Sequence, residues 1–230
     1  MIFWICFVLA FIPLIIILPT KIIGKKKLKL LKAKNRENIT NYDPERDPFG
    51  KKTSGAVLCI NHYSNFDAPI VSFKLQRKIR VLAKAELFEN KFSGWFIKQL
   101  GGIKITRGTA DPAAIKESLK VLKRGKLLGI FPEGTRNKTE DDDVQNVHNG
   151  AVVIAARAGV PIIPMIIYKR PKLFRRNIII VGDPFYIESE IERKPNKEET
   201  DRATQELVEK MKLLRDTLDE KYKNKHKKTA

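Results

Sequence analysis

From Ile2 to Leu18 the chain is apolar and carries no charge. As a helix this stretch would be about 26 Å long at about 1.5 Å per residue, against a hydrocarbon core of about 30 Å. Pro13 would kink it and Pro19 would end it. Apolar residues would run all round such a helix, so a transmembrane or re-entrant segment accounts for it better than a core helix. It lacks the basic start of a signal peptide. The pattern then changes. Over residues 21–36, Ile22, Ile23, Leu28, Leu30 and Leu31 are interleaved with seven lysines and Arg36, which predicts a basic amphipathic helix beside the membrane segment. Residues 1–36 form an anchoring unit on this reading, and 37–55, polar with Pro44, Pro48, Gly50 and Gly55, form a linker.

From residue 56 the pattern becomes short apolar runs alternating with amphipathic stretches. "AVLCI", "IRVLAKA", "GIKIT", "KLLGIF", "VPIIPMIIY" and "NIIIVGDPFYI" read as strands. "APIVSFKLQ", "KFSGWFIKQLG", "DPAAIKESLKVLKRG" and "GAVVIAARAG" read as helices. Gly101 is placed to cap the second helix. Asp111 and Pro112 open the third, and Gly125 stops it. Such alternation predicts an α/β sandwich on a largely parallel sheet. The catalytic domain is bounded at 56–190, and 191–230 is a charged C-terminal helix and tail. "TEDDDVQN" (139–146) is a polar excursion between a strand and a helix.

The charge sharpens this picture. With 45 Lys and Arg against 26 Asp and Glu, the net charge is +19, which calls for an anionic partner. Together with the lysines that follow the apolar start, it predicts an anionic phospholipid membrane as a partner, and a membrane protein whose active domain faces the cytoplasm. Nucleic-acid readers interleave aromatics or carry a known motif, and neither is present, so nucleic acid is not expected. Cys6 and Cys59, one in the apolar start and one in a strand, do not suggest a disulfide. The histidines at 62, 148 and 226 have no metal-ligand spacing, and the acidic run 140–143 reads as solvated, so no metal is expected.

Candidate chemistry begins at "NHYSNFD", directly after the first strand. On one helix, residues five apart sit about 140° round the axis and could not touch. If His62 closes the strand and Asp67 opens the next helix, with Ser64 or Asn65 as cap, the two can meet. The carboxylate then orients the imidazole as a general base. No glycine elbow surrounds Ser64, and Cys59 belongs to the strand, so the attacking hydroxyl is expected from the substrate. In "FPEGTRN", Gly134 allows close approach to the backbone, Thr135 offers a hydroxyl and Arg136 a planar fork for phosphate. Glu133 is an acceptor for sugar or glycerol hydroxyls. Arg107 ends "GGIKITRG" at another anion-fork position, and Lys84 ends a strand and could point to the same face. Pro161 and Pro164 frame a hydrophobic strand and shape backbone.

Taken together, Asn61-His62 with Asp67, the block ending at Arg107, "FPEGTR" and "VPIIP" resemble, in order and spacing, the glycerophospholipid acyltransferases, and among them the bacterial lysophosphatidate type. The resemblance covers roughly 56–182, with a hydrophobic-then-basic N-terminal pair of helices. It implies a glycerol-phosphate-acyltransferase-like mixed sheet flanked by helices, with an N-terminal membrane-associated hairpin. It implies His62 as general base and Asp67 as its orienter. Arg107, Glu133, Gly134 and Arg136 would hold the phosphate and glycerol of the acceptor, with help from Lys84. The acceptor would be lysophosphatidate, and the donor acyl-CoA or acyl-carrier protein. No acyl-enzyme and no resident cofactor are expected. One departure is "VHNG" (147–150), where His148 stands in a place the family often gives to lysine. The rival readings are a different lysolipid or glycerol-phosphate acceptor, and a non-enzymatic basic membrane-binding or nucleic-acid-binding module.

Overall fold

Ala56–Ile60 is a five-residue strand of which every residue is buried, because it is hydrogen-bonded to a strand on each side and covered on both faces. In this computed structural model, residues 17–32, 38, 55–106, 111–137, 147–188 and 195–227 are described, with side chains to 222 in the last helix. Among them seven strands form one sheet: β1 (Thr20–Ile23), β2 (Ala56–Ile60), β3 (Ile79–Lys84), β4 (Gly102–Ile105), β5 (Leu127–Ile130), β6 (Ile162–Ile167) and β7 (Asn177–Val181), in the spatial order β1-β7-β6-β2-β5-β3-β4. Every pairing is parallel except β6–β7. The helices are α1 (Asp67–Leu75), α2 (Lys91–Leu100), α3 (Pro112–Lys123), α4 (Gly150–Ala158) and α5 (Lys197–Lys227). The expected mixed, largely parallel α/β sheet flanked by helices is the architecture found.

Strand alternation sorts the core into two layers. Val57 and Cys59 face α3, α4 and α5, which contribute Leu122, Ala155 and Leu207. Ala56, Leu58 and Ile60 face α1, which contributes Ile70, Val71 and Leu75. Local signals set the helix ends. Asp111 accepts a hydrogen bond from Ala114 N–H with Pro112 at the first position of α3, and Gly101 closes α2 at φ 100°. The charged C-terminal helix packs into the first layer through Ala203, Leu207, Met211 and Leu218.

Pro164 sits within central strand β6, where a missing N–H is usually not tolerated. It is tolerated because β7 pairing begins one residue later, at Met165–Val181. Opposite Pro164, Gly182 lies one residue past the end of β7 and donates its N–H to the Pro164 carbonyl at 2.8 Å. A Cβ on Gly182 would stand 2.7 Å from the proline ring.

Three expectations need correction. The basic segment is not a continuous helix: Thr20–Ile23 is an edge strand parallel to β7, and Lys25–Leu31 is a 3-10 helix that buries Leu31. Edge pairing satisfies the backbone of a short strand that local sequence could not reveal. The last predicted strand ends at Val181, and only Phe185 beyond it bridges back, to Ile162. Neither Ser64 nor Asn65 caps α1, whose N-cap is Phe66 and has no side-chain bond. Among the described residues no helix is long and apolar enough to cross a membrane. The apolar start up to residue 16 and the acidic excursion 139–146 lie outside the described residues.

Candidate active site

β2 delivers Asn61 and His62 to the edge where the parallel strands end. Asn61 is fully buried and bridges to β6. Its Nδ2 donates to the Ile167 carbonyl at 3.0 Å, and its Oδ1 accepts the Ile167 N–H at 2.7 Å. The end of β2 is therefore fixed one residue before the histidine.

His62 Nδ1 lies 2.9 Å from Asp67 Oδ2, with Asp67 fully buried and His62 8% exposed. The same carboxylate oxygen accepts the N–H groups of Tyr63 and Ser64, each at 2.7 Å. Asp67 thus closes the loop that precedes it and holds the imidazole in one step. Its Oδ1 is buried with no protein hydrogen-bond partner. Phe131, at the end of β5, stacks on the imidazole at 3.9 Å between centroids and 18° between planes. With Nδ1 turned to the acid, Nε2 is the nitrogen left for a proton in transit.

Glu133 comes to the same place by a different route than expected. It is buried, and both its oxygens accept from protein: Oε2 from the His62 backbone N–H at 3.0 Å and Oε1 from Asn137 Nδ2 at 3.1 Å. Burial pushes its carboxyl above the usual range, and the bonds from His62 and Asn137 pull against that. The Asn137 N–H in turn donates to the His62 carbonyl at 2.7 Å, and Arg170 Nη2 to the Asn137 carbonyl at 2.9 Å. Gly134 holds φ 69°, and a Cβ there would stand 3.0 Å from the His148 ring. His148 is also tied to the turn by its N–H, which donates to the Pro132 carbonyl at 2.8 Å. Thr135 and Arg136 are exposed on this turn. Lys84 is exposed, 2.8 Å from Glu86, and lines the same cavity as His62. Arg107 lies outside the described residues.

That cavity measures about 260 Å³ and runs from His62 and Phe131 between α1 and α2 along β3. It passes Val81, which pairs with Gly102 of β4, and reaches Ile79 at the far end of the strand, with Leu100 also in its lining. The five steps of β3 that line it span about 16 Å at about 3.3 Å per residue. Its walls are mainly apolar, and Lys84 and Asn65 stand at the histidine end.

Cys59 is fully buried, and burial pushes its thiol far up, which disfavours the nucleophilic thiolate. Among the described residues no group of three or more His, Cys, Asp or Glu could hold a metal ion. Sequence reading missed Asn61 as a brace and Phe131 as the platform of the imidazole. It also missed Arg215, whose Nη2 donates to Tyr63 OH at 2.9 Å from α5. Only the adjacency of Asn61 to His62 offered a signal. The other two contacts join segments far apart in the chain.

The arrangement can remove a proton from a hydroxyl placed at the mouth of an apolar cavity. A family model described as "Acyltransferase" matches residues 31–168. The 1-acyl-sn-glycerol-3-phosphate acyltransferase of Bacillus subtilis (strain 168) is 32% identical over 192 residues, covering 80% of this chain and 92% of that protein. The protein of the same name from Borreliella burgdorferi is 32% identical over 130 residues, covering 56% of this chain and 51% of the relative. The crystal structure of the 1-acyl-sn-glycerophosphate (LPA) acyltransferase PlsC from Thermotoga maritima is similar in fold, with a TM-score of 0.51 at 23% identity, over 80% of this chain and 76% of that one.

Proposed function

We propose, for a chain that belongs to the acyltransferase family, that it moves an acyl group from a thioester donor to the free hydroxyl of lysophosphatidate, giving phosphatidate. The observation that carries this reading is a buried His62–Asp67 pair at the mouth of an apolar cavity, in a chain whose relatives are named for that acceptor. His62 Nε2 takes the proton of the acceptor hydroxyl as its oxygen attacks the thioester carbonyl. The new C–O bond forms, the C–S bond breaks, and the imidazolium returns its proton to the departing thiolate. Asp67 holds the imidazole by Nδ1–H and stabilises the charge that develops on it. No protein nucleophile takes part and no acyl-enzyme forms. Glu133 acts as a positioning residue, fixing the His62 backbone. Arg136, with Arg107 and Lys84, supplies cationic partners for the acceptor phosphate. The donor is acyl-CoA or acyl-carrier protein. The lysines after the apolar start support a domain on the cytoplasmic side of the membrane.

A panel of acceptors presented to the purified full chain with acyl-CoA tests the reading. Lysophosphatidate is expected to be turned over in preference to glycerol-3-phosphate and to lysophospholipids with larger head groups. Equal or better turnover of any of these would reassign the acceptor. Acyl transfer to none of them from either donor would remove the reading.

The cavity makes a separate prediction. Val81 lines it midway along β3, so Val81→Phe places a ring across the path of a long chain. Acyl selectivity is expected to shift toward shorter donors by roughly 10–200-fold, the range that a single methylene commands in an apolar pocket. Competition between short and long donors reads this directly. An unchanged preference would mean that the acyl chain lies elsewhere.

A further inference from the structure

Among the described residues, Phe66, Leu87, Phe92, Trp95, Leu173 and Phe174 are large apolar side chains left 46–76% exposed, with Leu213 of α5 the one other. The six share a location. Each follows the C-terminal end of β2, β3 or β6, or lies in the first two turns of α2, so all stand at the sheet edge that carries His62. Scattered exposed apolar residues need no explanation, but a row along one edge does.

α2 shows the pattern in detail. At about 100° per residue, Lys91, Phe92, Trp95 and Lys98 fall within an arc of about 120°, and all four are exposed. Ile97 and Leu100 fall on the other side and line the acyl cavity. The Phe92 and Trp95 rings are paired at 6.4 Å in the open. Across the sheet, Leu173 and Phe174 tip the β6–β7 loop within the run Lys169-Arg170-Pro171-Lys172-Leu173-Phe174-Arg175-Arg176. Phe174 is held at φ 56°, a region a bulky residue rarely adopts. Its N–H donates to the Ile17 carbonyl at 2.6 Å, which ties Ile17 to this tip.

We propose that this edge docks on an anionic lipid bilayer through two feet, Phe92–Trp95 on α2 and Leu173–Phe174 on the β6–β7 loop, with the His62–Asp67 pair between them. The mixture of residues selects a bilayer over a protein. Lysine is depleted from protein–protein interface cores, whereas a membrane interface accepts aromatic rings among the head groups and lysine stems that reach anionic phosphates. Both feet have that composition, in a chain of net charge +19. Asn65 and Leu87 line the cavity together with His62, so a lipid acceptor and an acyl chain held in it would come from the bilayer. The surface deepens the lipid-acceptor reading, while its first test is independent of any activity.

Trp4 and Trp95 are the two tryptophans, so Trp4→Phe in the full chain leaves Trp95 as sole reporter. On phosphatidylglycerol vesicles its emission is expected to shift to the blue. It should be quenched by lipids brominated high on the acyl chain and shielded from acrylamide. Vesicle-bound protein with unchanged Trp95 emission would overturn the proposal, as would failure to bind. A blue shift that grows with protein concentration without vesicles would assign the face to a second copy and also overturn it. In a second arm, the Phe92→Ser/Trp95→Ser and Leu173→Asn/Phe174→Asn proteins are each expected to lose about tenfold in turnover of vesicle-embedded acceptor, and to keep wild-type turnover of a short-chain, detergent-dispersed one. Equal losses on both presentations would overturn the docking role. Absence of activity in wild type, with the Trp95 shift intact, would sink the acceptor reading alone.

Discussion

His62→Ala is expected to lower kcat for phosphatidate formation by about 10²–10⁴-fold, the contribution of a positioned general base, with little change in the acceptor KM. The split follows from geometry. The ring lies at the cavity mouth between Phe131 and Asp67, and the cationic groups assigned to the phosphate are on other segments. Folding should survive, because the backbone bonds that lock this turn remain: His62 N–H to Glu133, and Asn137 N–H to the His62 carbonyl. The lost ring stacking is worth about 0.5–1.5 kcal/mol, which thermal unfolding would register as a small shift. The measurement is steady-state kinetics with lysophosphatidate and acyl-CoA. Wild-type kcat in the substituted protein would end the proposed mechanism. A raised KM at unchanged kcat would move His62 from proton transfer to binding.

Much of this site could be read in the sequence, and the part that could not is the part built by distant contacts. A strand ending in Asn-His and a helix opening near Asp67 are local patterns, and they suffice to bring the pair within reach. The caps at Gly101 and Asp111 are local too. Strand β1 is not. Its four residues sit in a lysine-rich run that resembles an amphipathic helix, and it is made a strand by β7, which pairs Thr20 with Asn177. Glu133 shows the same limit. Nothing in "FPEGT" says whether its carboxylate points out toward a substrate or in toward a backbone amide 71 positions earlier. The inward choice was settled by Asn137 and the His62 N–H, whose pairing needs the folded chain. The Asn61 bridge to Ile167 and the Arg215 contact to Tyr63 join residues 106 and 152 apart, beyond any periodicity argument.

Asp67→Asn separates the charge of the carboxylate from its geometry, and the orphan oxygen decides how. Three donors converge on Oδ2: His62 Nδ1 and the N–H groups of Tyr63 and Ser64. Oδ1 has no protein partner. An asparagine can therefore place its carbonyl oxygen where Oδ2 was and keep all three bonds, leaving its NH₂ at the vacant side. The opposite rotamer would aim N–H at three N–H donors and is disfavoured. In the allowed rotamer the imidazole keeps its orientation and its Nδ1–H tautomer. What disappears is the negative charge 2.9 Å from the ring when it becomes imidazolium. The expected result is a fall of about 10²–10³-fold in kcat, or about 3–4 kcal/mol, at near wild-type KM. Stability should fall by about 1–3 kcal/mol for a buried donor without an acceptor. Asp67→Ala should differ in kind. It strips the Tyr63 and Ser64 amides of their acceptor, so the loop carrying the histidine loosens, and stability falls further than in the asparagine protein. Paired kinetics and thermal unfolding on the two variants distinguish the cases. If Asp67→Asn retains wild-type kcat, the carboxylate serves the loop alone and the imidazole works without it.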